Sequence, residues 1–130
     1  MNFRVMPRRY GPTVHLAPAG ELDLETRIAL DECYIGADGP TIVACDMQHL
    51  TFMDVTGLNA LIDFADRLDR LDRLDRRGIA FFAYNWQPQP LRLLDLTDAL
   101  YPPPRRTENR GPTRLLRRSL RDATADHRAA

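Results

Sequence analysis

A chain of 130 residues, 44% hydrophobic and 28% charged, carries enough apolar material for one folded domain but not for two. Its net charge of zero hides an asymmetry: residues 1–100 hold ten Arg against fifteen Asp and Glu, and residues 101–130 hold eight Arg against three acids, which reads as an acidic domain with a basic tail. No apolar run approaches the roughly 20 residues of a membrane span, no apolar core of signal-peptide length follows Arg4, Arg8 and Arg9, and Cys33 and Cys45 are too few for a disulfide framework, so the expectation is a soluble, cytoplasmic protein with reduced thiols.

In chain order, Phe3–Met6 is a short candidate strand, and the stretch from Arg8 through Gly11-Pro12 has turn chemistry. In residues 13–19, Val14 and Leu16 alternate with Thr13 and His15, the pattern of a half-buried strand paired as a hairpin with the first. Gly20-Glu21-Leu22-Asp23 ends it. A helix is expected from Leu24 to Ile35, N-capped by Asp23, with Leu24, Ile28 and Ile35 on its apolar face. Gly36, Gly39 and Pro40 stop that helix. Residues 41–47 (TIVACDM) are short and β-branched, which favours a buried central strand in a parallel pair. Residues 48–53 then read as a connection.

A second helix opens at Asp54-Val55-Thr56-Gly57 and carries the stripe Leu58, Leu61, Ile62, Ala65 and Leu68. Asp-Arg-Leu follows three times from Asp66. A period of three drifts against 3.6, so Leu71 and Leu74 leave the stripe. The pairs Asp66–Arg70, Asp69–Arg73 and Asp72–Arg76 suit a helix end projecting into solvent. Residues 79–84 (IAFFAY) form another apolar strand, and a Pro-rich loop carries Trp86 as a partly exposed cap on the sheet end. Leu91–Leu100 is a short helix with Leu93, Leu94, Leu96 and Leu100 expected inward. From Pro102 onward the composition favours a disordered basic tail, within which Pro112–Asp122 could form a short amphipathic helix.

Few residues offer chemistry. His15, His49 and His127 lack metal-ligand spacing. There is no Gly-rich phosphate loop and no convergent acid/base set, so neither a cofactor nor catalysis is expected. All eighteen basic residues are Arg, so arginine identity alone marks no phosphate ligand. The informative position is Thr56, at a helix N-terminus where backbone N–H groups lack partners and negative charge is favoured. Its hydroxyl is either part of an N-cap or a phosphoacceptor, whose dianionic phosphate the helix end would tolerate. Gly57 beside it leaves the hydroxyl uncrowded and allows close approach of another backbone.

Three segments in order, Gly20-Glu21-Leu22-Asp23, Ile42-Val43-Ala44-Cys45-Asp46 and Leu50 through Leu58 (LTFMDVTGL), resemble the STAS domain of anti-sigma-factor antagonists. The later strand, Pro-rich loop and helix ending Leu93-Leu94-Asp95-Leu96-Thr97 is similar to that family's closing segment. The resemblance implies an α/β fold, a mixed sheet of four to five strands with helices mainly on one face, in the order β-β-α-β-α-β-α. It implies one STAS-like domain over residues 1–101, with 102–130 as the tail. It also implies a non-enzymatic regulator of transcription that binds an anti-sigma-factor kinase, is released when phosphorylated on Thr56, and is reset by a phosphatase. Carried onto this chain, the docking surface comprises Asp23, Met53, Asp54, Val55, Gly57, Leu58 and Asn59. Val55-Thr56 stands where the family often has Ser-Ser or Ala-Ser, and Leu96-Thr97-Asp98-Ala99 where it often has Leu-Thr-Gly-Leu. Competing readings are an unphosphorylated STAS scaffold and a small-molecule or nucleotide sensor. Direct nucleic-acid binding is disfavoured by the acidic domain.

Overall fold

The computed structural model describes residues 2–33, 42–75, 80–100 and 112–117, with side chains along the second helix described as far as Asp69. Among the described residues, seven strands form two sheets. Strands β1 (Phe3–Arg4), β4 (Ala19–Leu22) and β6 (Leu50–Met53) make one. Strands β2 (Arg8–Tyr10), β3 (Thr13–Leu16), β5 (Ile42–Asp46) and β7 (Ala80–Tyr84) make the other. The same three stretches of chain supply both sheets in the same spatial order. Each stretch is interrupted once, near Pro7, at Ala17-Pro18 and at Met47-Gln48-His49. Proline lacks the N–H that a ladder needs, which accounts for the first two breaks. The first pair in each sheet is antiparallel and the remaining pairs are parallel, so the mixed α/β architecture is as the sequence implied.

The alternation of β3 holds. Val14 and Leu16 are buried, and Thr13 and His15 are half-buried. Strand β5 lies between β3 and β7, both parallel to it, which explains its continuous apolar run. Three strand assignments differ from expectation. Ala19–Leu22 is a strand of its own between β1 and β6, whereas the expectation has residues 20–23 ending the preceding strand. Arg8–Tyr10 is a strand rather than part of the turn, and Leu50–Met53 is a strand paired with β4 rather than a connection.

Helix α2 spans Val55–Asp75. Its expected stripe faces the core: Leu58, Leu61, Ala65 and Leu68 are buried, and Ile62 packs partly buried against the same cluster. Phe64 adds an edge-to-face contact with Phe81 of β7 at 6.2 Å between ring centroids. The charge pairs expected along the Asp-Arg-Leu repeat involve side chains outside the described residues.

Helix α1 is shorter than expected, Arg27–Asp31, and Tyr34 and Ile35 lie outside the described residues. A turn through Asp23–Thr26 precedes it and rotates its inward face. Leu30 is therefore the buried residue, while Leu24 and Ile28 are exposed. Helix α3 runs Pro88–Leu100, starting three residues earlier than the two prolines suggested. The first-turn N–H groups of a helix have no internal acceptor, so proline there removes nothing. The expected inward set reduces to Leu94, with Leu93 partly buried. Leu96 and Leu100 are exposed. Trp86 packs partly buried against the core.

The expected tail over 102–130 needs correction where it is described. Residues 112–117 fold back onto the domain, ending in a 3-10 turn, Arg114–Arg117, that packs against β7 and α2. Leu115 and Leu116 join the core cluster, and Thr113 has no exposed surface. The Asp98 carboxylate of α3 accepts the Thr113 N–H at 3.1 Å and its hydroxyl at 2.5 Å. Arg117 Nε donates to the same carboxylate at 2.9 Å, and its Nη2 reaches Asp95 at 2.7 Å.

These two acids should separate in their effects. Asp98→Ala leaves a buried hydroxyl and amide without an acceptor and should cost about 1.5–3 kcal/mol. Asp95→Ala removes only an exposed ion pair and should cost less than about 1 kcal/mol. Urea unfolding followed by Trp86 fluorescence measures both, and equal losses would contradict the arrangement.

Candidate functional site

Strands β4 and β6 are parallel neighbours, with Leu22 in register with Met53. Their chains therefore leave the sheet side by side, one into the Asp23 turn and the other into α2. The Asp54 N–H donates to the Leu22 carbonyl at 3.2 Å, one residue beyond the paired strands. Asp54 then caps α2. Its Oδ1 accepts the Gly57 N–H at 2.8 Å, and its carbonyl accepts the Leu58 N–H at 2.8 Å. So Asp54 is the N-cap and Thr56 is the second residue of the helix.

Gly57 is where the helix touches the strand end. A Cβ there would lie 2.0 Å from the Leu22 carbonyl oxygen. The close approach that this glycine permits is thus internal to the chain. Gly20 plays a similar part lower on β4, with φ +109° and the Asn2 carbonyl 1.9 Å from where a Cβ would sit.

Asp23 is 6% exposed and its carboxylate serves its own turn. Its Oδ1 accepts the N–H groups of Glu25 and Thr26, each at 3.0 Å. The Thr26 hydroxyl accepts the Asp23 N–H at 2.9 Å and donates to the Glu21 carbonyl at 2.6 Å. The N-cap of α1 is thus Thr26, which makes no side-chain cap bond, and not Asp23 as expected; the Asp23 carboxylate caps the turn that leads into the helix.

Thr56 is half-buried, and no hydrogen bond to its hydroxyl exists among the described residues. Asp54 is half-buried beside it, and Val55 and Asn59 are exposed. Met53, Gly57 and Leu58, also expected on the docking surface, lie beneath it, with Met53 and Leu58 sealed in the core. Sequence reasoning missed three contributors. Leu24, Ile28 and Phe52, like the expected Val55, are exposed apolar side chains on the strand ends and helix starts around this point. Gln89 is the other omission: its side-chain oxygen accepts the Met53 N–H and its amide donates to the Met53 carbonyl, both at 2.9 Å. It pairs β6 as a further strand would and ties the start of α3 to the start of α2. No residue type or spacing marked that bond in advance.

A hydroxyl with no internal partner, on a half-buried threonine at the start of a capped helix with exposed apolar groups nearby, can meet another protein's surface. It can also accept a covalent group without disturbing a hydrogen bond. The model of the STAS domain family matches residues 5–101. The chain belongs to the STAS domain family. Its fold is similar to an anti-sigma factor antagonist from Mycobacterium paratuberculosis, at 19% identity and a TM-score of 0.52, covering 98% of this chain and 95% of that one. It is also similar to part of the murine Slc26a9 anion transporter, at 16% identity and a TM-score of 0.57, covering 95% of this chain and 19% of the transporter. No curated protein matches it in sequence. At these identities the likeness is one of fold.

Among the described residues no helix of this STAS domain is long and apolar enough to cross a membrane, and no group of three or more His, Cys, Asp or Glu could hold a metal ion. Burial raises the thiol pKa of Cys33, opposed by nearby Arg67, and raises that of fully enclosed Cys45 much further. Neither is poised as a nucleophile.

Gly57→Ala should drive the start of α2 away from β4. The expected loss exceeds the roughly 1 kcal/mol that glycine's helix propensity would return. Thermal unfolding checks this, and an unchanged or raised midpoint would show that the contact has slack.

Proposed function

We propose that this STAS domain is an anti-sigma-factor antagonist. It binds an anti-sigma factor with serine/threonine kinase activity through the surface at the start of α2, and it is released when that kinase phosphorylates Thr56. A phosphatase restores the binding form. The domain itself performs no catalysis and acts on transcription by exchange of protein partners in the cytoplasm. The observation that carries this reading is Thr56, a half-buried residue at a helix N-terminus whose hydroxyl has no hydrogen bond among the described residues.

The neighbourhood supports a switch driven by charge. Exposed Val55, Leu24, Ile28 and Phe52 offer the apolar area that a partner would cover. A phosphate on Thr56 would bring almost two negative charges into that contact, beside the Asp54 carboxylate. The like charge and the desolvation cost both act against the complex. Because Asp54 already occupies the Gly57 N–H, the phosphate has no need to displace the cap, and the helix start survives modification. Asp23 contributes less than a free carboxylate would, since its Oδ1 is taken up by the turn. The partner-facing set is then Asp54, Val55, Thr56 and Asn59, with Met53, Gly57, Leu58 and Asp23 holding it in place.

The test uses the chain and its cognate anti-sigma factor, recovered by pull-down from the source cells. Thr56→Ala should bind as the unmodified chain does. Thr56→Asp should bind weaker by a factor on the order of a hundred to a thousand, since charging the centre of an interface costs several kcal/mol. Incubation with the partner and ATP should place phosphate on Thr56 by mass spectrometry. Equal binding by both variants, with no phosphate on Thr56, would leave the scaffold reading in its place.

A further inference from the structure

The first strands alternate in a way that the proposed switch does not use. Arg8 and Tyr10 alternate on β2 and so share one face of it, while Arg4 lies on β1 and Met6 in the break between the two strands. His15 stands opposite Arg8 in the β2–β3 pair, and Ala17 follows on the same face. These six residues line one cleft of about 490 Å³. It lies on the face of β3 opposite Val14 and Leu16, and so on the side away from the helix-packed core.

No acid is among the described residues that line this cleft. Arg4 and Arg8 are exposed, and neither has a hydrogen bond or ion pair among the described residues. Arg9, between Arg8 and Tyr10 on β2, instead donates to the Gly11 carbonyl at 2.7 Å. Residues 1–20 contain no Asp or Glu. On the same face, the Asp46 carboxylate is engaged by the Gln48 backbone and side-chain amides and by Asn85. Edge-strand arginines often serve only to discourage pairing with other sheets. That role needs exposure alone. It does not need two arginines lining one cleft with a histidine across from one of them.

His15 is held in place by a 3.2 Å hydrogen bond to the Tyr84 hydroxyl, and Tyr84 stacks on Phe82. Burial first, and Asp46 second, raise the Tyr84 pKa above its ordinary value, so it stays a neutral phenol at neutral pH. One imidazole nitrogen is thereby occupied, leaving the other for a ligand. Met6 and Tyr10, 73% and 60% exposed, supply an apolar flank.

We propose that this cleft binds a phosphate-bearing small molecule, with Arg4 and Arg8 gripping the phosphate oxygens and His15 adding a third contact. Guanidinium groups match phosphate oxygens in paired hydrogen bonds. The volume lies in the range of small-molecule sites, and the Tyr10 and Met6 flank suits a ligand with an apolar or planar portion. The site is independent of Thr56, because none of its residues belongs to β6 or α2.

Amide NMR on the full chain, titrated with inorganic phosphate, phenyl phosphate and benzoate, tests this. Saturable shifts centred on Arg8, Tyr10 and His15 are expected with phosphate, phenyl phosphate or both at millimolar ligand. Which of the two binds tighter identifies a free or an esterified phosphate as the ligand type. The double substitution Arg4→Gln, Arg8→Gln affects exposed side chains, and the amide spectrum itself reports whether the fold persists. It should weaken binding about tenfold or more. No saturable shift with either phosphate, undiminished binding by the double variant, or benzoate binding as tightly as phenyl phosphate would each overturn the proposal.

Discussion

The arrangement depends on one close contact, between the start of α2 and the end of β4. Gly57 rests against the Leu22 carbonyl with no room for a Cβ, and the Asp54 N–H bonds that same carbonyl. Two consequences follow from helix geometry. The residues that point toward β4 and the core, Met53, Gly57 and Leu58, are necessarily buried. Those a third of a turn or more away, Val55 and Asn59, are necessarily exposed, and Thr56 falls between them. The half-buried setting of Thr56 is therefore a result of packing. A bulkier residue at position 57 would change the angle of α2 and, with it, what the hydroxyl faces.

The two faces of the β2–β3–β5–β7 sheet do different work because the strand period is two. One face gives Val14, Leu16, Val43, Cys45, Phe81 and Ala83 to the core cluster shared with α2. The other carries His15, Ala44, Phe82 and Tyr84 across successive strands in register. The acidic character of residues 1–100 belongs to the turns, the helices and the strand ends at Glu21 and Asp46. The N-terminal hairpin is basic. An overall charge of zero thus conceals opposite local charge within the folded domain as well as between residues 1–100 and 101–130.

Much of this was legible in the sequence where a physical period was strong. The α2 stripe, the β3 alternation and the parallel setting of β5 were readable because burial imposes those patterns directly. Asp23 was legible as a capping residue by its chemistry, though its carboxylate serves the turn before α1 and not the helix itself. The misreadings have identifiable causes. The Asp23–Thr26 turn shifts α1 and turns Leu24 and Ile28 outward, and no periodicity rule registers a turn of that kind. Pro88 and Pro90 suggested a late start for α3, although first-turn prolines are compatible with a helix. Residues 112–117 looked like tail because three prolines and several arginines precede or surround them. What holds them is a bond between Asp98 and Thr113, 15 residues apart in sequence, which composition cannot reveal. The surface of the candidate site was half legible: residue identities around Thr56 could be named, but burial within that set depends on contacts made across strands.

Helix α3 links the two ends of the molecule. Near its start, Gln89 completes the hydrogen bonding of Met53, immediately before the α2 cap. Near its end, Asp98 anchors the C-terminal segment that packs on β7 and α2. Thirteen residues of helix span about 20 Å, so α3 is pinned at both ends by polar bonds and in the middle by buried Leu94. An element fixed in that way does not need to move for a local charge at Thr56 to matter. The cap at Asp54, the Gln89 bridge and the Gly57 contact all remain in place when a group is added to a hydroxyl that none of them uses. Under the proposed function, exchange of partners at this surface is an event of charge and desolvation at the interface and requires no rearrangement of the cap, the bridge or the glycine contact.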